Sequence, residues 1–296
     1  AVTVLSLAGS PVADYTFSLQ PNAKGRLEVL HNGKKVFDNP VEANQTVNTQ
    51  TVLVKGNNSF DVTLTPDPVE TITSTAPVRL RHIVTFKNYG KPGEPIYVSP
   101  KGTANAAGTE ADPIDIYSAV QFAQTGQTIY VRGGVYELSA PIMIERGNNG
   151  APGKLKVLAA YPGEKPVFDF GKKANGVFLA GDYWKIVGID ITKSSGNGLR
   201  ISGSHNIVEL VQTYANGETG LQISGLATEP FEKWPANNLI LNCTSFDNRD
   251  PSENNADGFA AKLTCGPGNV FRGCIAYNNC DDGWDLYSKL ETGPIG

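Results

Sequence analysis

The sequence predicts an all-β protein, a right-handed parallel β-helix preceded by a small β-sandwich, and three observations carry that prediction. A glycine, a large apolar residue, a variable residue and a second apolar residue recur as Gly176-Val177-Phe178-Leu179, Gly198-Leu199-Arg200-Ile201, Gly220-Leu221-Gln222-Ile223, Gly258-Phe259-Ala260-Ala261 and Gly283-Trp284-Asp285-Leu286. The glycines are 22, 22, 38 and 25 residues apart. An aromatic residue stands two places before an asparagine in Tyr214-Ala215-Asn216, Phe246-Asp247-Asn248 and Tyr277-Asn278-Asn279, at steps of 32 and 31. The intervals hold short alternating runs and turn residues, with no sustained helical period. Two columns advancing together at such periods describe stacked coils, each contributing a few short strands.

Residues 1–86 read differently. Alternation in Arg26-Leu27-Glu28-Val29-Leu30, the Asn32-Gly33 turn, Val36-Phe37, and the runs Thr51–Val54 and Phe60–Leu64 predict short antiparallel strands of a small β-sandwich, Ig-like or accessory. Tyr15, Phe17, Phe37 and Phe60 are its candidate core. Its role is open between carbohydrate binding and a spacer or lid.

Residues 87–94 form a linker, and 95–296 the β-helix. Asp112-Pro113 opens a short helix with Ile116, Ala119, Val120 and Ala123 on one face and Gly126 at its end, suited to plug the first coil. Coils then start at Thr128-Ile129-Tyr130-Val131. Within each repeat the apolar pair points inward, and Arg200, Gln222, Ala260 and Asp285 point outward. Asn216, Asn248 and Asn279 are expected to form an internal amide ladder at a turn. Cys243 and Cys274 occupy equivalent places in successive coils and read as small stacked residues, while Cys265 and Cys280 are free to pair. The stretch Ala227–Pro235 is a loop beside the acidic segment, and its Lys233 and Trp234 are candidates for substrate contact.

That acidic segment is the chemical focus. Cys280-Asp281-Asp282-Gly283-Trp284-Asp285 follows Asp257-Gly258, and aligning the glycines sets Asp257 directly below Asp282. Neighbouring strands lie about 4.8 Å apart. Two ionised carboxylates at that spacing repel by roughly 1 to 4 kcal/mol at effective dielectrics between about 80 and 20. Asp281 and Asp285 add to this, so a cation is expected among Asp257, Asp281, Asp282 and Asp285. Calcium suits an all-oxygen set of irregular geometry. Zinc would need His or Cys, and His31, His82 and His205 are not suitably spaced.

Composition narrows the partners. The 296 residues carry a net charge of −4 with 18% charged residues and no basic stripe, which argues against nucleic acid. No apolar run reaches the roughly 20 residues that span a bilayer. The start, Ala1-Val2-Thr3-Val4, lacks Met and a charged region, as expected where a leader has been removed or lies outside the chain. A secreted, periplasmic or cell-surface monomer is the expectation.

The stretch Asn254–Leu263, continued by Gly268–Leu286, resembles polysaccharide lyase family 9, which contains pectate and rhamnogalacturonan lyases. The resemblance covers residues from about Pro95 onward. It implies that Asp257, Asp281, Asp282 and Asp285 hold one Ca²⁺. It further implies calcium-assisted β-elimination on a pectic polysaccharide, polygalacturonate or rhamnogalacturonan, giving unsaturated products. The family's base is a neutral lysine on a later coil. Lys289 is a candidate out of the expected motif, Lys262 reads as a substrate-binding lysine, and the expected base lies beyond residue 296. The β-helix is therefore expected to be truncated at its C-terminal end. A hydrolase on this fold would carry a downstream His motif, and no His follows His205. The rival reading is a non-catalytic β-helix adhesin or binding module in which calcium staples the coils.

Overall fold

A computed structural model of the chain describes residues 1–68, 75–90, 93–226 and 228–288. The chain separates into two compact units, Ala1–Asn88 and Tyr89–Gly296.

In the first unit the strands Val2–Val4, Asp14–Pro21 and Val47–Val52 form one antiparallel sheet. Gly9–Ser10, Val78–Phe86, Gly56–Pro66, Gly25–His31 and Lys34–Val41 form a second sheet. Alternate residues of each strand meet between the sheets. Phe17, Leu19, Leu27, Val29, Phe60, Val62, Leu64 and Val84 are all buried there, with the Phe17 and Phe60 rings stacked at 4.2 Å. Phe17 and Phe60 are core as expected, whereas Tyr15 and Phe37 pack at its margin. Strand Val78–Phe86 went unread in the sequence because His82 takes an inward place and Ile83 an exposed one, which breaks the apolar alternation.

The second unit winds through three parallel sheets. The first contains Ile96–Val98, Thr128–Val131, Lys156–Ala160, Trp184–Val187, Ile207–Glu209, Leu239–Leu241 and Val270–Arg272; the second runs from Gly134–Glu137 to Ile275–Tyr277. The third comprises Ile142–Ile144, Val177–Leu179, Leu199–Ile201, Leu221–Ile223, Phe259–Ala261 and Trp284–Asp285. Its register is strict: Met143, Phe178, Arg200, Gln222, Ala260 and Asp285 are successive partners on its outer face. Inward residues Ile142, Val177, Leu199, Leu221 and Phe259 fill the core.

The helix Ile116–Phe122 buries Ile116, Ala119, Val120 and Phe122 against the first coil. It starts later than Asp112-Pro113. Ile114 stays extended to bridge Val98, and the Asp115 carboxylate then caps the helix by accepting from Ser118 N at 2.8 Å. The helix ends at Ala123, short of Gly126. Tyr89, assigned to the linker by sequence, is buried in this core and donates from its hydroxyl to Ala104 O.

The asparagine ladder is present. Asn216 donates from its backbone N and Nδ2 to Asn248 Oδ1, and Asn248 does the same to Asn279. The preceding residues Ala215, Asp247 and Asn278 turn the corner with φ of 55°, 55° and 54°. A second ladder, Asn206, Asn238 and Asn269, links the coils at another corner through the same backbone-to-Oδ1 bonds. The four cysteines are free. Cys265 donates to Ile223 O and Cys280 to Asp250 Oδ1, so the two do not pair.

Candidate metal centre and its surroundings

The acidic residues sit where the last two described strands of the third sheet begin. Phe259 pairs with Trp284, which puts Gly258 beside Gly283 and Asp257 beside Asp282; Gly258 N donates to Asp282 O at 2.9 Å. Carboxylate oxygens of Asp257, Asp281 and Asp282 lie within 4.8 Å of one another. Ligands placed about 2.3–2.6 Å from one calcium lie no more than roughly 5 Å apart, so these three reach a common ion.

Asp257 is fully buried. Its Oδ2 accepts from Thr219 Oγ1 at 2.9 Å and from Lys262 Nζ at 2.8 Å, while Oδ1 is buried with no hydrogen-bond partner. An unmet carboxylate oxygen in a dry site is costly unless a cation or donor completes it. The donor set, all oxygen and irregular, fits a hard divalent ion. Asp281 and Asp282 are exposed and so open the site to solvent. Partial loss of hydration, followed by the charges of Asp257, Asp282 and Asp285, raises the pKa of the exposed Asp281, with Lys262 opposing.

Asp285 stands apart from that trio. Its Oδ1 accepts from Tyr287 N and its Oδ2 from Lys262 Nζ at 2.7 Å. Lys262 thus bridges Asp257 and Asp285, with only 16% of its side chain exposed. Burial pulls its pKa down, but the bonds to both carboxylates outweigh this and hold it above the ordinary lysine value.

The other sequence candidates fall elsewhere. Trp234, expected as a substrate contact, is buried; its indole N–H goes to Glu229 O and its ring packs edge-on against Phe231, so it anchors its own loop. Lys233 is exposed on that loop. Lys289 lies outside the described residues.

Sequence reading missed Asp250 and Glu218. The Asp250 carboxylate accepts from the backbone N of Ser252, Asn254, Asn255 and Ala256, and from the Ser252 hydroxyl, shaping the turn that delivers Asp257. These donors hold its pKa well below the usual range. The cue was Asp250-Pro251-Ser252, an Asx-type turn start. Glu218 is one coil earlier, and burial, with Asp250 and Asp257, raises its pKa against the pull of Lys262.

Comparison with known proteins agrees with this architecture. Residues 96–295 match the family model for the Pel9A-like right-handed beta helix region, and residues 3–78 match that for the pectate disaccharide-lyase central Ig-like domain. The whole chain is 44% identical over 301 residues to a protein of Thermoclostridium stercorarium named pectate lyase L, covering 24% of it. A pectate lyase L of Paenibacillus polymyxa is 48% identical over 68% of the chain and 46% of that protein. The crystal structure of pectate lyase Pel9A superposes with a TM-score of 0.59 at 29% identity, covering 66% of this chain and 50% of that one. The chain therefore spans about a quarter to a half of the curated relatives it matches. With a β-helix of matching sequence over most of its length and acidic residues gathered on adjoining coils, the chain belongs to the Pel9A-like right-handed β-helix family, polysaccharide lyase family 9.

Proposed function

We propose that this chain carries the calcium-binding part of a pectic polysaccharide lyase, acting outside the cytoplasm on a galacturonate-containing backbone, pectate or rhamnogalacturonan. The observation that carries the reading is the fully buried Asp257 with an unpartnered Oδ1, facing Asp281 and Asp282 across adjacent coils. Asp257, Asp281 and Asp282 would hold Ca²⁺, with Asp285 beside them. When bound, the ion supplies positive charge that attracts a sugar carboxylate and withdraws electrons from the carbon beside it.

Charge balance favours one divalent ion. Four aspartates and the Lys262 ammonium sum to three negative charges, and one calcium leaves a single one. The residues of the chain then have separate tasks. Asp257, anchored by Thr219 and Lys262, fixes the floor of the site. Exposed Asp281 and Asp282 form its solvent side. Lys262, whose ammonium is taken up by Asp257 and Asp285, adds positive charge for the anionic substrate. The base that removes the proton next to the sugar carboxylate as the glycosidic oxygen departs is not among the described residues around Asp257. Lys289 keeps that role only as a proposal.

Polygalacturonate and rhamnogalacturonan, supplied to the full-length protein with and without calcium, test this directly. Ultraviolet absorbance of an unsaturated uronate, present with calcium and absent with chelator, is the expected result. The Lys262 bridge between Asp257 and Asp285 favours one second reading, a calcium-stapled carbohydrate-binding or adhesin β-helix. It prevails if calcium raises thermal stability and no unsaturated product ever forms.

A further inference from the structure

On the same outer face of the third sheet, N-terminal to the acidic centre, lies a cavity of about 490 Å³, within the range of small-ligand sites. Met143, Phe178, Arg200, Asn175, Asn197 and Glu218 line it. We propose that it is a distal uronate subsite, in which the Arg200 guanidinium binds a sugar carboxylate and Phe178 with Met143 supports the apolar face of a ring. This rests on the polyuronate reading above and extends it to residues remote from the metal.

Register sets the distance. Arg200, Gln222, Ala260 and Asp285 are successive outward partners, so Arg200 stands three strands from Asp285, roughly 14 Å at the usual strand spacing. Glu218 connects the two places: it lines the cavity, and the next residue, Thr219, donates from its hydroxyl to Asp257 Oδ2 at 2.9 Å. A single extended polysaccharide lying along this face meets both.

Arg200 is poised for an anion. It is half-buried, its Nη2 donates to Gly225 O at 3.0 Å, and its Nε is buried with no hydrogen-bond partner. No carboxylate pairs with it among the described residues, whereas Arg132, Arg146 and Arg249 of the same unit are each paired with a glutamate. The centroid of the Phe178 ring lies 5.6 Å from the guanidinium carbon. A guanidinium without a carboxylate partner, beside an apolar ring in a cavity, is the arrangement that recognises a carboxylate on a sugar ring.

Met143 is the single methionine of the chain and is 43% exposed in this cavity, so a carbon-13-labelled methionine methyl gives one resonance that reports on it alone. Titration with a galacturonate oligomer should shift that resonance, and the methyl-esterified oligomer, which lacks the charge, should shift it at least about tenfold less readily. Arg200→Gln should weaken the galacturonate response by about tenfold or more, with Arg200→Lys recovering part of it. Asp257→Asn should leave the response in place while abolishing calcium binding, which separates this subsite from the metal centre. An unmoved methyl resonance, or equal responses to the acid and its ester, overturns the subsite whether or not the chain yields unsaturated product. Absence of product from the full-length protein, with a charge-dependent methyl shift, overturns the lyase reading and leaves the subsite standing.

Discussion

Lys262 shows how one side chain can disguise a site. It neutralises Asp257 and Asp285 with bonds of 2.8 and 2.7 Å, so part of the repulsion expected from four aspartates is already relieved. It also competes for the carboxylates that would face a metal. Lys262→Met should therefore bind calcium several-fold more tightly by calorimetry, and the calcium-free chain should unfold at lower temperature because the buried Asp257 and the partly buried Asp285 lose their counterion. The sequence exposed Asp257 and Asp282 because glycine spacing fixes their register. It hid the Lys262 bridge, since a long side chain can reach either neighbouring coil and spacing alone does not choose. Lys156 offers a second test at this scale. It is 5% exposed, donates to Asn148 Oδ1 at 2.6 Å, and burial lowers its pKa from 10.5 to about 8. The folded chain gives up this proton near pH 8 while the unfolded chain keeps it to about 10.5. This contribution to stability is thus smallest below pH 8 and grows as pH rises through that window, by on the order of 3 kcal/mol. Denaturant curves from pH 7 to 11 should show the rise in the natural chain and lose it in Lys156→Met.

At the level of the coil corner, stability comes from amide ladders as much as from apolar stacking. Asn248 accepts two bonds from Asn216 and donates to Asn279 Oδ1, Ser245 Oγ and Thr213 O, all within a buried corner. Asn248→Ala should cost about 2–4 kcal/mol in equilibrium unfolding, because it strands several buried donors and acceptors at once. The glycines of the repeat have an equally concrete reason. A Cβ on Gly220 would lie 2.0 Å from Ser245 Oγ and 2.6 Å from Thr213 Oγ1, so the corner closes only over a bare backbone. The first ladder was legible because an aromatic residue marks each of its asparagines. The second, Asn206, Asn238 and Asn269, has the same steps of 32 and 31 but no aromatic flag, and went unread. The helix start was misplaced for a related reason: Asp-Pro is a local signal, and the bridge from Ile114 to Val98 is a contact with a distant strand that overrides it.

For the whole chain, the parallel stack was legible because each coil repeats one pattern of buried and outward residues, and the sandwich because its strands alternate. What sequence could not supply was the fate of loop residues, such as Trp234 turning inward, because loops carry no period. If the acidic centre binds calcium, saturating ion should raise the midpoint of thermal unfolding, by about 2.7 kcal/mol of stabilisation at a hundredfold excess over Kd, and chelator should reverse it. Asp257→Asn should unfold at the same temperature with and without the ion. The strict register of the third sheet has one more consequence. Strands Leu221–Ile223 and Phe259–Ala261 pair residue for residue although the chain between their glycines is far longer than in the coils before it. The surplus is absorbed in corners such as those around Phe231–Lys233 and Asp250–Ala256, outside the repeating frame. Such corners are places where new loops can be grafted to redesign the rim of the polymer track while the scaffold beneath keeps its gauge.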